Sequence, residues 1–422
     1  MKKINFLSIL IAAAMVIIVS CEDDEGNPDA LDGDTLSGNY TKDVTLEEGK
    51  TYYVEGDAII KSGATLTIEK GVTIIGKSEF VSYLLIEQGA KIMAEGTADD
   101  PIIMTADKKE TGAWGGLHIC GKAPINKTGG TGESEIGGAA YGGSDAADNS
   151  GVVKYVRLEY TGVALDDEHE SNGISMYGVG NGTTIEYVQV YEGADDGIEF
   201  FGGTANVKYI YVKGALDDCI DWTEGWSGKG QYMIAQQTGA GDRGIEGDNN
   251  GSNNTAEPYA SPTLSQVTLL GNGDDGNYGA KLREGTKGKI VNLIVTGFKK
   301  RSIHVEHNQT LLNVIDGSLD VDFAHVDENV SDAAIKYSVS KIANPDYDPN
   351  DPESEEEIND PDGVKPTDDQ KFEADGNITI GTVTASASTQ FDGGTDASAL
   401  GSFFDADSKI GAGNTWASGW TK

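Results

Sequence analysis

Short strands recur along this chain at intervals of about 18 to 32 residues, and units too small to bury their own apolar face must stack on one another. Toward the N-terminus VTLEEGKTY (44–52), LTIEKGVTI (66–74) and LLIEQGAKI (84–92) superpose without gaps. The superposition puts Val44, Leu66 and Leu84 in one column and Leu46, Ile68 and Ile86 in the next, with Gly49, Gly71 and Gly89 at a bend that needs a positive φ or close backbone approach. A second series, from YVRLEYTG (155–162) to NLIVTG (292–297), alternates with period two. Alternation assigns Val156, Val188, Ile210, Met233, Val267 and Leu293 to one inward column. Leu158, Val190, Val212, Ala235, Leu269 and Val295 form a second, while Arg157, Gln189, Tyr211, Ile234, Thr268 and Ile294 face out. The strands that follow (NGISM, DGIEF, DCIDW, RGIEG) supply a third inward column of Ile174, Ile198, Ile220 and Ile245.

With three strands per turn and a period near 22, the pattern from residue 44 to about 310 resembles the right-handed parallel β-helix of the pectin-lyase-like fold. A β-propeller would need blades of about 40 residues. Length alone, 422 residues, suggests two or three domains, but the repeats make residues 44–343 a single all-β solenoid. Glycine, at 57 residues, is about twice its usual ~7% share, which also argues against a helical bundle. Residues 344–376 break the pattern: Pro345, Pro349, Pro352, Pro361 and Pro366 fall there with the acidic run Glu355–Glu357, as in a solvated excursion or linker. Residues 377–422 recover strand alternation and carry Phe403, Phe404, Trp416 and Trp420, the composition of a segment folded back as a cap on the solenoid.

The N-terminus reads MKKINFLSILIAAAMVIIVSC: two lysines, an apolar run too short for a comfortable membrane span, and Ser20 before Cys21, as in a signal peptide over residues 1–20. The segment resembles a lipobox, which implies that Cys21 is lipidated and anchors the protein in the outer membrane. Glu22, Asp23, Asp24 and Glu25 follow at once in a polar tether over 21–43; they resemble the acidic export signal of Bacteroidota lipoproteins, which implies the outer, cell-surface leaflet.

A net charge of −38 repels polyanions, so nucleic acid is excluded as a partner. Of the three cysteines only Cys120 and Cys219 remain after processing, too few for a disulfide framework, and both read as small buried residues. No CxxC, HExxH, phosphate-loop or GxSxG pattern occurs. His304 and His307, three apart on a strand, point to opposite faces.

Equivalent residues of neighbouring rungs stack about 4.8 Å apart, so columns become ladders. Aligning Ile174, Ile198, Ile220, Ile245, Leu282 and Ile303 puts Ser175, Glu199, Asp221, Glu246, Arg283 and His304 in one outward column, with Asp195, Asp196, Asp217, Asp218 and Asp242 at the preceding corner. Stacked carboxylates repel unless a cation, a shared proton or an arginine compensates. Calcium is the natural candidate, on Asp196, Asp218, Glu199, Asp221 and Glu246; the alternative is a row of solvated acids at Gly-Asp-Asp turns.

ADDGIEF (194–200), LDDCIDW (216–222), GDRGIEG (241–247) and AKLREG (280–285) are similar in order and spacing to the motifs of the polygalacturonase family: NTD, a DD pair often followed by Cys, HG and RIK on successive rungs. The resemblance implies for Asp196 the role of the NTD aspartate, for Asp217 and Asp218 that of the DD pair, and for Lys281 or Arg283 that of a clamp on a substrate carboxylate. Asp242 and Arg243 stand where that family has its histidine, and Ala194 and Asp195 where it has Asn and Thr. A pectate-lyase-like elimination would instead use calcium on Asp196, Asp218 and Glu199, with Arg243 or Arg283 as the base.

Aromatics favour binding. Tyr155, Tyr187, Tyr209 and Tyr232 share a column as a packing ladder or sugar platform; Trp222 and Trp226, with Phe201 nearby, are the expected ligand-facing residues, and Trp114 is expected to pack a corner. Together these features describe a lipid-anchored surface β-helix that binds an extracellular ligand such as a polysaccharide and serves an outer-membrane transporter. The rival is a calcium-dependent lyase or polygalacturonase-like hydrolase; a third reading is a structural or adhesive surface protein.

Overall fold

A computed structural model describes residue 31 and residues 33–164, 170–274, 276–345, 347 and 355–422. The expected signal peptide over residues 1–20, the expected lipidation site Cys21 and the tether residues 21–30 and 32 lie outside the described residues. Twenty-four strands join one sheet whose pairings are all parallel, beside two antiparallel hairpins, Thr131–Glu133 with Ala140–Gly142 and Lys341–Ala343 with Glu357–Asn359. The sheet coils into a right-handed parallel β-helix with three faces, the hand that twisted strands impose on parallel crossovers. The helix begins earlier than residue 44, because Thr35–Tyr40 already pairs with Thr51–Ile60. Gly38, at φ 71°, lies where the register of that first pairing shifts, and it hides the strand from a period-two search.

Val44–Leu46, Thr65–Ile68 and Lys91–Glu95 open the first face; Thr73–Gly76 and Ile102–Ala106 belong to the second. From Gly151–Glu159 onward single strands span both faces: Thr184–Tyr191, Asn206–Lys213, Lys229–Gln236, Thr263–Leu270, Gly288–Thr296 and Leu319–Asp327. Each bends at one left-handed residue, and these stack in a column: Tyr155, Tyr187, Tyr209, Tyr232, Gln266, Asn292 and Phe323, with φ between 49° and 60°. The third face runs through Tyr83–Ile86, Leu117–Cys120, Ile174–Tyr177, Ile198–Phe201, Asp218–Thr223, Arg243–Gly247, Tyr278–Leu282, Arg301–Glu306 and Ile335–Ser338.

The two inward columns of the second series pair as alternation requires, Val156 to Leu293 and Leu158 to Val295, and so do Ile174, Ile198, Ile220 and Ile245. These isoleucines are wholly buried, and each contributes about 1.5–3 kcal/mol by leaving water. Leu84 corrects the first series: Leu66 pairs with Ile92, whereas Leu84 pairs with Ala58 and Leu117 on the third face. The same apolar-Glu-Gly signature is used at two different corners, so gapless superposition merges them. Cys120 and Cys219 are buried free thiols, and Trp114 is buried with its Nε1 donating to the Glu159 carbonyl at 2.8 Å.

Within the excursion, the Phe372 ring packs at a tilt on Tyr337, whose hydroxyl accepts from the Phe372 N–H at 3.0 Å. Ile378–Gly381 then adds a strand to Leu319–Asp327. The segment beyond it does fold back onto the solenoid, but along its flank rather than across its open end. It crosses the bend column rung by rung. Asn292 exchanges hydrogen bonds with Thr395 at 2.9 Å each way, Gln266 donates to the Asp407 carbonyl at 3.0 Å, and Gln231 accepts from the Asp405 N–H at 2.8 Å. Farther along, Trp416 packs on Tyr209, Trp420 meets Tyr155 edge-on, and the Lys422 N–H donates to Gln189 at 2.8 Å. The tyrosines stack with centroids 4.2–5.0 Å apart beneath it, as a packing ladder. Ile234 and Ile294, outward-facing on their strands, are therefore fully buried, with Ala412 and Ala417 over the first and Val383 and Ile410 over the second.

Candidate functional site

The third face presents its outward column in register: His118, Ser175, Glu199, Asp221, Glu246, Lys281, His304 and Lys336. Lys281, and not Arg283, follows Glu246. Sequence alignment on Leu282 slips by two residues, which keeps the same side of the strand, and alternation alone does not tell Leu282 from Ala280. At the preceding corner the Asp218 N–H donates to the Asp196 carboxylate at 2.8 Å and the Asp242 N–H to the Asp217 carbonyl at 2.9 Å. The aspartates thus gather beside the column as the stacking argument requires. His304 and His307 do not converge: His304 Nε2 meets the Ser338 hydroxyl at 2.9 Å, whereas His307 Nδ1 accepts from the Glu284 N–H.

The acidic ladder divides in two. In its arginine-balanced part, Arg243 reaches Asp218 at 2.8 Å, Asp242 at 2.8 Å and Glu246 at 3.0 Å, with Asp217 at 3.9 Å. Arg283 holds Glu246 at 2.6 Å and Asp248 at 2.9 Å. Lys281 pairs with Glu306 at 3.1 Å. Burial opposes the charge on both guanidiniums, but the carboxylates around them more than offset this, Asp218 and Glu246 for Arg243, Asp248 and Glu246 for Arg283, and raise both pKa values. Each guanidinium is thus held as a cation by its carboxylate partners.

In the other part, among the described residues, no lysine or arginine lines the site. A pocket of about 250 Å³ is bounded by Asp195, Asp196, Glu199, Asp217 and Asp221, with Glu135, Glu170 and Asn172 closing it. Oxygens of Asp196, Glu199 and Asp221 lie within 4.8 Å of one another, and so do those of Asp195, Asp196 and Asp217. Asn172 donates to Glu199 at 2.6 Å, while Asp221 Oδ1 is buried with no hydrogen-bond partner. Burial, then repulsion from neighbouring acids, holds the Asp196, Glu199 and Asp221 carboxyls well above the usual range. Asp195 is pushed up to about 7 for the same reasons, burial first and then Glu170 and Asp217.

Such a site fits calcium. All donors are oxygens, and ligands about 2.3–2.6 Å from a common ion lie up to about 5 Å from each other across it. Asp196, Glu199 and Asp221 are the three ligands of the expected ladder that suit the ion; Asp218 and Glu246 already have arginine partners, although Asp218 Oδ1 is also buried without one. Glu135, Glu170 and Asn172 escaped sequence reasoning. Asn172 stands two residues before Ile174, as Asp196 does before Ile198 and Asp218 before Ile220, a signal that was available; Glu135 comes from a segment between rungs that repeats nothing.

The expected ligand-facing aromatics are displaced from that role. Trp222 and Trp226 are 1% and 0% exposed inside the solenoid, their indole N–H groups donating to Thr286 and to the Ala205 carbonyl. Trp226 stacks on Phe200 at 3.8 Å. Phe201 is buried too, stacked on Tyr177 at 4.4 Å under the segment that carries Ile125 and Tyr141. Trp222 occupies the inward position paired with Phe200, so period two already placed it inside.

Comparison with known families gives a match to the model described as a pectate-lyase-like β-helix domain, over residues 38–421. No curated protein and no solved structure gives a significant match.

Proposed function

The chain belongs to the pectate-lyase-like β-helix domain family, and from that premise we propose that it binds calcium in the acidic pocket and, through it, an extracellular glycan. The observation that carries this reading is the group Asp196, Glu199 and Asp221, three clustered carboxylates with no lysine or arginine among the described residues that line their pocket. Calcium there would neutralise their repulsion and keep coordination positions for ligand oxygens. The lipobox-like sequence at Cys21 supports anchoring in the outer membrane, with the acidic residues after it favouring the cell exterior. In that position the protein would hand its ligand to an outer-membrane transporter. Binding is favoured over cleavage because the arginines nearest the acids are locked in ion pairs.

Calorimetric titration of residues 22–422, stripped with EDTA, tests the reading at pH 8. Calcium binding that Asp221→Asn abolishes is the expected result, and absence of calcium binding overturns it. New reducing ends or unsaturated sugars released from a polysaccharide in calcium would replace the binding function with a catalytic one.

A further inference from the structure

The third-face strands end in a second and larger concavity, a cleft of about 1160 Å³. Thr223 and Glu224 form its floor at the end of Asp218–Thr223. One wall carries Thr128 and Thr131, the other Ser252 and Asn253. The hairpin Thr131–Glu133/Ala140–Gly142 contributes Thr131, Gly132, Glu133 and Ala140 to this cleft, and Glu135, just past its first strand, lines the acidic pocket.

The cleft is pre-formed. Asn126 donates to Asn249 Oδ1 at 2.9 Å and accepts from Asn250 at 2.9 Å, which ties the two walls together. Glu224, buried and with a left-handed backbone at φ 53°, accepts from the Tyr141 hydroxyl at 2.7 Å and pairs with Lys127 at 2.8 Å. Among the described residues, the hydroxyls of Thr128, Thr131, Thr223 and Ser252 and the side-chain Nδ2 of Asn253 make no protein hydrogen bond.

These groups select a ligand class. Lys127, the cation of the lining, is cancelled by Glu224, and Glu133 leaves the cleft negative in a chain of net charge −38; an anion is disfavoured. Hydroxyl and amide groups with open valences on both walls suit a ligand that both donates and accepts at every position, and the volume exceeds the roughly 300–1,000 Å³ of ordinary small-molecule sites. We infer that the cleft is a cation-independent binding site for a neutral oligosaccharide. The inference needs no calcium and stands apart from the reading of the acidic pocket.

Titration in EDTA with the hexaoses of cellulose, laminarin, mannan, xylan and starch tests it. At least one binds, Ser252→Trp, which fills the cleft from an exposed loop, weakens it at least tenfold, and Asn253→Ala weakens it a few-fold. Asp221→Asn leaves it unchanged, and thermal melts of each variant verify the fold. Failure of all five to bind, a requirement for calcium, or binding indifferent to Ser252→Trp overturns the proposal.

Discussion

Two columns of outward side chains show what a β-helix can do with the same geometry. On the tyrosine flank, Tyr155, Tyr187, Tyr209 and Tyr232 stack face to face, and the C-terminal segment closes over them and over Ile234 and Ile294. On the acidic face, Glu199 and Asp221 stack at the same rung spacing, with the Asp196 carboxylate beside them. Stacking rewards aromatic rings, whose faces attract when offset, and penalises carboxylates, whose charges add. The chain supplies its own partner to the first column, whereas among the described residues no lysine or arginine lines the pocket of Asp196, Glu199 and Asp221, where the Asp218 N–H donates to Asp196 and Asn172 to Glu199. Where Arg243 and Arg283 intervene, the acidic column resembles the flank in drawing its partners from the chain itself.

Replacing Arg243 sharpens that contrast most. Arg243→Gln moves the arginine-paired part of the acidic face toward the unpaired kind, leaving Asp218 buried without its counter-charge and Glu246 with Arg283 alone. A loss of about 3–5 kcal/mol is expected in denaturant unfolding. Next comes the flank: Ile294→Ala opens a cavity beneath the C-terminal segment, at a cost of about 2–4 kcal/mol, and hydrogen exchange should quicken around Val383 and Ile410 while the third face stays protected.

Calcium is expected to act on the other side of the comparison. At about 100 times its dissociation constant it adds about 2.7 kcal/mol of stability, read as a rise in melting temperature at pH 8 and little or none at pH 5. The sign follows from the carboxyls. With pKa values raised in the folded state, Asp195 to about 7, the folded protein binds more protons than the unfolded chain, so without calcium stability falls as pH climbs from about 4 through neutrality. The smallest effect is that of Asp221→Asn, which should make that decline shallower and remove the response to calcium.

Much of the solenoid is legible in the sequence because burial on one face enforces period two, and the columns through Val156, Leu158 and Ile174 follow from it. The errors have the same origin. Period two is blind to a slip of two residues, which exchanged Lys281 for Arg283, and blind to which corner a motif serves, which misplaced Leu84. At the site the carboxylates could be read residue by residue, yet their division into balanced and unbalanced sets depends on where two guanidiniums point. Trp222 and Trp226, expected to face a ligand, lie inside, and for Trp222 the inward column that pairs it with Phe200 accounts for this. Ile234 and Ile294 carried the opposite message: isoleucines on the outer side of a strand announce that something covers them, without saying what.

The C-terminal segment also works as a ruler. A stacked solenoid ordinarily lengthens or shortens by one rung with consequences only for the neighbours. Here a single stretch of chain touches the rungs of Asn292, Gln266, Gln231, Tyr209, Gln189 and Tyr155 in turn, so a rung gained or lost between Tyr155 and Asn292 would throw every contact on one side of it out of step. The number of turns beside the acidic face is thereby fixed, and variation in length is confined to the rungs before Gly151 and to the loops.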